Sequence, residues 1–177
     1  MNVNHITTQK LIKQPRLSFD RLREVIQYEP LTGVFLWKSS KKSTYILRVA
    51  GCLNYYGYRV IRIDQTNYTA HRLAWLYTYG KWPDVEIDHI NLVKDDNRIY
   101  NLREATRSQN QRNTRKLCGN TSGFKGISWN NNAGKWQVYI RTNSKRIHLG
   151  YFFSLSDAAD AYSTASSKYH GEFGRVA

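Results

Sequence analysis

Cysteine is nearly absent, acidic residues are scarce, and no long apolar run occurs. The two cysteines, Cys52 and Cys118, lie far apart and form no C-x-x-C pair. No disulfide framework and no structural zinc are therefore expected, and a reducing compartment is. The lack of a long apolar stretch and of a basic amphipathic helix argues against a membrane partner. The N-terminus, M-N-V-N-H-I-T-T-Q-K, has no apolar signal core, so secretion is not expected. No internal repeat or low-complexity tract is visible.

Basic residues and aromatics are what the chain has in excess. Lys and Arg number 27 against 13 Asp and Glu, a net charge of +14. Such a charge does not determine a fold, but it selects a polyanionic partner, of which nucleic acid is the commonest. Aromatics make up 14% of the chain, with 13 Tyr and 5 Trp. Interleaved with basic side chains they suit phosphate and base contacts, although most Trp and Phe are expected in the core. A hydrophobic content of 41% over 177 residues supports one ordinary domain or two small ones.

The chain reads as a basic arm over residues 1–16, then two modules, 17–116 and 123–174, joined by a linker at 117–122. Ser18 caps a short helix whose Leu22, Val25 and Ile26 share one face, and Pro30 and Gly33 end it. Val34–Trp37 reads as a strand, and Ser39–Thr44 as a basic loop. Tyr58–Ile63 alternates as a strand, and Asp64–Asn67 supplies a turn. A helix follows around His71–Tyr79, stopped by Gly80. Val85–Ile90 reads as a strand, Asn91–Tyr100 as a polar loop and Asn101–Ala105 as a second strand. Thr106-x-x-Gln109 is a capping box that opens a helix running to about Lys116.

That strand–loop–strand–helix unit carries the candidate chemistry. The first strand carries Asp88 and His89, and Asn110 and Asn113 lie three apart on one helix face. If strand and helix pack together, Asn110 can face Asp88. A carboxylate and an amide oxygen are hard ligands that suit Mg²⁺ or Mn²⁺. His89 points away from Asp88 along a regular strand, so the strand must bend or end there for both to share a site. A near-neutral imidazole could then take a proton from water. His71 reads as a packed imidazole or a support. Asn97 and Asn113 are candidates for supporting contacts, and Arg98, Arg103, Arg107, Arg112 and Arg115 for phosphate clamps.

The segment from about 70 to 113 resembles the HNH (ββα-metal) nucleases, in the branch found in phage and intron-borne homing endonucleases. A-H-R-L-A-W, I-D-H-I, D-D-N-R-I-Y-N-L-R and S-Q-N-Q-R-N carry the resemblance. It implies His89 as general base, Asn101 as the residue that fixes the loop, and Asp88 with Asn110 as metal ligands. Asn110 stands where the family's letter code has its last His, which favours a hard divalent ion over zinc.

Downstream, Gly126–Trp129, Lys135–Arg141 and Arg146–Gly150 read as three short antiparallel strands. An Ala-rich helix from Ser154 to about Tyr169 follows, offering Ala158, Ala161, Tyr162 and Ala165 to the sheet. Residues 123–174 resemble the Apetala-two/ERF DNA-binding domain through F-K-G-I-S-W, G-K-W-Q-V-Y-I-R, R-I-H-L-G-Y-F and A-A-D-A-Y. The resemblance puts DNA-reading positions on Lys125, Ser128, Asn130, Tyr139, Arg141, Arg146 and His148. The expectation is an α+β protein that binds double-stranded DNA as monomer or dimer, in the cytoplasm of a bacterial or phage-infected cell. It would hydrolyse phosphodiesters with Mg²⁺ or Mn²⁺, without an obligate protein partner. The alternative is a non-catalytic DNA-binding protein on a decayed nuclease scaffold.

Overall fold

A computed structural model describes residues 17–38, 48–114, 119–142 and 145–176. The basic arm, the Ser39–Thr44 loop, Arg115 and residues 117–118 of the expected linker lie outside the described residues.

Ser18 caps α1 (Phe19–Val25) by accepting from Arg21 N, as its position predicts. The helix stops earlier than the sequence suggests. Ile26–Glu29 forms β1, which pairs antiparallel with β2 (Val34–Trp37). Gly33 closes this hairpin at φ +75°, where an added Cβ would lie 2.6 Å from Arg98 N. The two β-branched and aromatic positions Ile26 and Tyr28 are buried on one side of the strand, a stronger reward than a further helical turn.

A second small sheet has the order β3 (Cys52–Leu53), β4 (Arg59–Ile63), β5 (Thr66–Thr69). Asp64 and Gln65, both at positive φ, make its second turn. Chain direction then turns into α2 (Ala70–Tyr79), ended by Gly80 at φ 72°. The helix buries Ala70, Leu73, Ala74 and Leu76 against Leu22, Ile26, Phe35 and Ile61.

On this platform sits the unit read from the sequence. β6 (Glu86–His89) pairs antiparallel with β7 (Leu102–Ala105), and α3 (Arg107–Arg112) follows. Both halves of the Thr106–Gln109 capping box form. The helix is shorter than expected, because Asn113 already leaves helical geometry at its C-terminus.

The C-terminal strands β8 (Ile127–Asn130), β9 (Lys135–Thr142) and β10 (Lys145–Phe152) form an antiparallel sheet with β9 in the middle. α4 (Leu155–His170), capped by Ser154, covers one face. Ile127, Val138, Ile140, Ala158, Tyr162 and Ala165 make a hydrophobic cluster separate from that of the first module. Ser122, expected in the linker, is buried and donates to Ile127 O. Among the described residues no helix is long and apolar enough to cross a membrane.

Candidate active site and nucleic-acid interface

β6 ends at His89, and this resolves the problem of opposite faces. Asp88 and His89 are both buried. They line one cleft of about 590 Å³ together with Tyr58, Lys94, Asn110 and Asn113. Of the residues expected to act together, Asp88, His89 and Asn110 are thus brought to one place.

Asn101 lies beneath, in the 3-10 turn Ile99–Asn101. Its Oδ1 accepts from Asn91 N at 3.1 Å, and its Nδ2 donates to Asn91 Oδ1 and to Asp96 O. Its own carbonyl accepts from Ile90 N. One buried amide therefore fixes both ends of the loop that follows His89. Buried amides left unpaired are costly, so this geometry is strongly specified.

The partners of Asp88 differ from expectation. Its carboxylate accepts from Asn113 Nδ2 at 3.1 and 3.0 Å and from Arg103 Nε at 3.0 Å. Asn110 instead donates Nδ2 to Glu86 Oε2 at 2.7 Å. The reason is geometric. Glu86 and Asp88 project from the same face of β6, and Asn110 and Asn113 from the same face of α3. The two pairs align one step along from the pairing expected. Glu86 was missed in the sequence reading, although its i, i+2 relation to Asp88 is the signal that finds it.

Arg103 is held inside the protein and is not a phosphate clamp. Besides Asp88, it donates to Glu172 O at 2.8 Å and lies 3.8 Å from the Phe173 ring centroid. Arg98 is likewise committed, to Asp96 and to the Tyr100 ring. Arg107 is exposed and Arg112 half-buried on α3.

His89 packs edge-on against His71, with centroids 5.1 Å apart, and both rings neighbour Tyr58. His89 Nε2 and His71 Nδ1 are enclosed without hydrogen-bond partners, while His71 Nε2 meets Thr69 Oγ1 at 3.2 Å. Burial, with the neighbouring His89 and Arg72, lowers the His71 pKa to about 3. Burial also lowers that of His89, against the opposing pull of Asn97 and of the Asp88, Asp96 and Asp95 carboxylates. Both imidazoles are therefore neutral near pH 7.

Among the described residues no three His, Cys, Asp or Glu side chains converge as a cation site. Two carboxylates line the cleft, but Asp95 is bound by Arg59, which leaves Asp88 and the amide of Asn110 as the donors for an ion. This set fits a hard ion that keeps several water or phosphate ligands better than it fits zinc.

In the second module, register decides which side chains face outward. Ser128 lies opposite Gln137, Tyr139 opposite His148 and Arg141 opposite Arg146. These six share the face not covered by α4. The Arg146 guanidinium lies 3.6 Å from the Tyr139 ring centroid. Gln137 Nε2 donates to both Tyr139 Oη and Tyr151 Oη. Tyr151 was missed because strict alternation from His148 would turn it inward. A bulge between His148 and Gly150 resets the alternation.

Two expected DNA-reading positions also make contacts within the protein. Asn130 Oδ1 accepts from Ala133 N in the β8–β9 turn. Lys125 is half-buried and donates to Arg112 O at 2.9 Å, capping the helix that carries Asn110. Its burial, with the nearby Arg175 charge, lowers its pKa.

Residues 68–112, which include Asp88, His89, Asn101 and Asn110, match the HNH endonuclease family. Protein 3.8 of Escherichia phage T7 is 32% identical over 106 residues, covering 59% of this chain and 87% of that protein. No solved structure matches. The chain belongs to the family of phage T7 Protein 3.8, and the segment that matches the HNH endonuclease family supplies part of the lining of this cleft.

Proposed function

We propose that the chain is a metal-dependent DNA endonuclease of the homing type, with its reaction in the Asp88–His89–Asn110 cleft. The observation that carries this reading is the convergence of those three residues on one cleft within the HNH-matching segment. Asp88 and the Asn110 carbonyl oxygen would hold Mg²⁺ or Mn²⁺, which supplies charge stabilisation for the phosphate and the leaving oxygen. Neutral His89 takes a proton from water as the water oxygen bonds to phosphorus and the P–O3′ bond breaks. Asn101 acts through the loop, keeping the imidazole in place. The cleft serves one phosphodiester, which favours nicking by a monomer; a dimer could cut both strands.

The outward face of β8–β10 would read the DNA in the manner of the Apetala-two/ERF domains. A sheet of this width fits the major groove, and Ser128, Tyr139, Arg141, Arg146, His148 and Tyr151 provide polar and stacking contacts. Arg107 and Arg112 would add phosphate contacts beside the cleft.

One observation favours a second reading, a DNA-binding protein without catalysis. The Asp88 carboxylate is already engaged by Arg103 and Asn113. Incubation of plasmid and phage DNA with the protein in Mg²⁺ or Mn²⁺ separates the two. The nuclease reading expects nicked or linear product that EDTA abolishes. Binding with no product in either ion supports the second reading.

A further inference from the structure

Next to one wall of the cleft stand two adjacent tyrosines that are largely uncovered among the described residues. Tyr55 is 97% exposed and Tyr56 69%. Isolated exposed aromatics are ordinary and need no explanation. Here the backbone beneath them is tightly determined. Gly57 N donates to Asn54 O at 2.9 Å, closing a β-turn over Asn54–Gly57. Asn54 Oδ1 accepts from both Tyr56 N and Tyr58 N at 3.0 Å, and Gly57 takes φ +82°.

The turn is also tied to the opposite wall. Lys94 Nζ donates to Tyr56 O at 2.9 Å and lies 4.9 Å from the Tyr58 ring centroid. Arg59, just after the turn, makes a two-bonded ion pair with Asp95 at 2.8 Å. Gly57 and Tyr58 line the cleft with Asp88 and His89. The two rings touch each other edge-on, with centroids 5.4 Å apart.

A fixed turn that presents two uncovered rings at the mouth of a cleft is a preorganised contact surface. Tyrosine has two side-chain torsions to fix and offers a flat, amphipathic face, so ordering it costs little. The chain's charge of +14 brings a polyanion to this surface. We infer that Tyr55 and Tyr56 form an aromatic wedge that stacks on an unpaired or unstacked base of the DNA strand entering the cleft. The placement of DNA in the cleft rests on the nuclease reading; the stacking itself requires no cleavage.

The test uses the full-length protein in EDTA, so that no cutting occurs. The probes are a short fully paired duplex and the same duplex with a small central bubble containing 2-aminopurine. The wild type is expected to bind the bubble more tightly and to quench 2-aminopurine. Tyr55→Ala with Tyr56→Ala should remove about a tenfold bubble preference and the quenching, within the range of base–aromatic stacking. Tyr55→Phe with Tyr56→Phe should keep both, since the rings remain. The tip is exposed, so unchanged thermal melting is expected for both variants.

A double-alanine protein that keeps the preference and the quenching overturns the inference. So does a wild type that shows no preference, or one whose tyrosine pair supports only self-association in sedimentation. Stacking without cleavage in a parallel Mg²⁺ assay would remove the nuclease reading and leave the wedge standing. Cleavage without stacking would do the reverse.

Discussion

The two modules handle polar groups in opposite ways. In the first, Asp88, His89, Asn97, Asn101 and Asn113 are all buried, and most of their bonding atoms are held by neighbours. In the second, Arg141, Arg146, His148 and Tyr151 stand on the exposed face of a regular sheet. Chemistry needs groups whose positions are fixed before the substrate arrives. Recognition needs groups that water covers until DNA replaces it. The first module thus buries a cluster of carboxylate, imidazole and amide groups, whereas the second buries only Ser122 and Ser166 and keeps its cationic and aromatic polar groups on the sheet surface.

Substitutions at matched positions should expose that asymmetry. Asp88→Ala removes the buried partner of the Arg103 guanidinium, at a site where Asp88 is 4% exposed, and leaves only the exposed Glu172 carboxylate at 3.6 Å. A loss of about 3–5 kcal/mol in urea unfolding is expected, typical of a broken buried ion pair. Arg141→Ala on the exposed sheet should change stability by less than about 0.5 kcal/mol. Equal losses would break the comparison.

Next in size is Asn101→Ala. It removes the amide that bonds Asn91 and Asp96, so a loss of about 1–3 kcal/mol is expected. Hydrogen exchange should show lost protection at Asn91 N first. Protection unchanged there would deny Asn101 its role in fixing the loop.

Acid should act on the first module. His71 has a folded-state pKa of about 3 against an ordinary 6.5. Between those values the unfolded chain binds the proton and the folded chain does not. Stability therefore falls as pH drops from about 6.5 towards about 3, by up to about 1.4 kcal/mol per unit for this group. His71→Phe should flatten that slope in thermal melts. The His89 pKa is lowered as well, so the acid limb of any cleavage profile should lie below that of an ordinary histidine.

The smallest effect concerns the sheet face. Arg146→Ala should weaken DNA binding modestly and reduce the salt dependence by about one charge if Arg146 contacts a phosphate. An unaltered salt slope would instead make Arg146 a support for the Tyr139 ring, on which it lies.

Much of this was legible in the sequence where a local rule applies. Ser18, the Thr106–Gln109 box and Ser154 cap helices where their spacing says. Alternation in β9 correctly sorts Val138 and Ile140 from Tyr139 and Arg141. Asp88, His89 and Asn110 reach one cleft because strand, loop and helix are short and their order is fixed. What stayed hidden depends on steps between elements. A single-residue bulge turned Tyr151 outward, and a shift along α3 gave Asp88 to Asn113 and Asn110 to Glu86. The roles of Arg103 and Lys125 arise from packing between modules more than ten residues apart in sequence, for which composition and periodicity carry no signal.

The central claim is that His89 removes a proton during cleavage. Single-turnover cleavage of a mapped DNA site in Mg²⁺, wild type against His89→Ala, tests it most directly, with DNA affinity measured in parallel. A general-base role for His89 gives a rate loss of at least about a hundredfold, the lower range for such a group, with affinity nearly unchanged. Equal rates for the two proteins would contradict it.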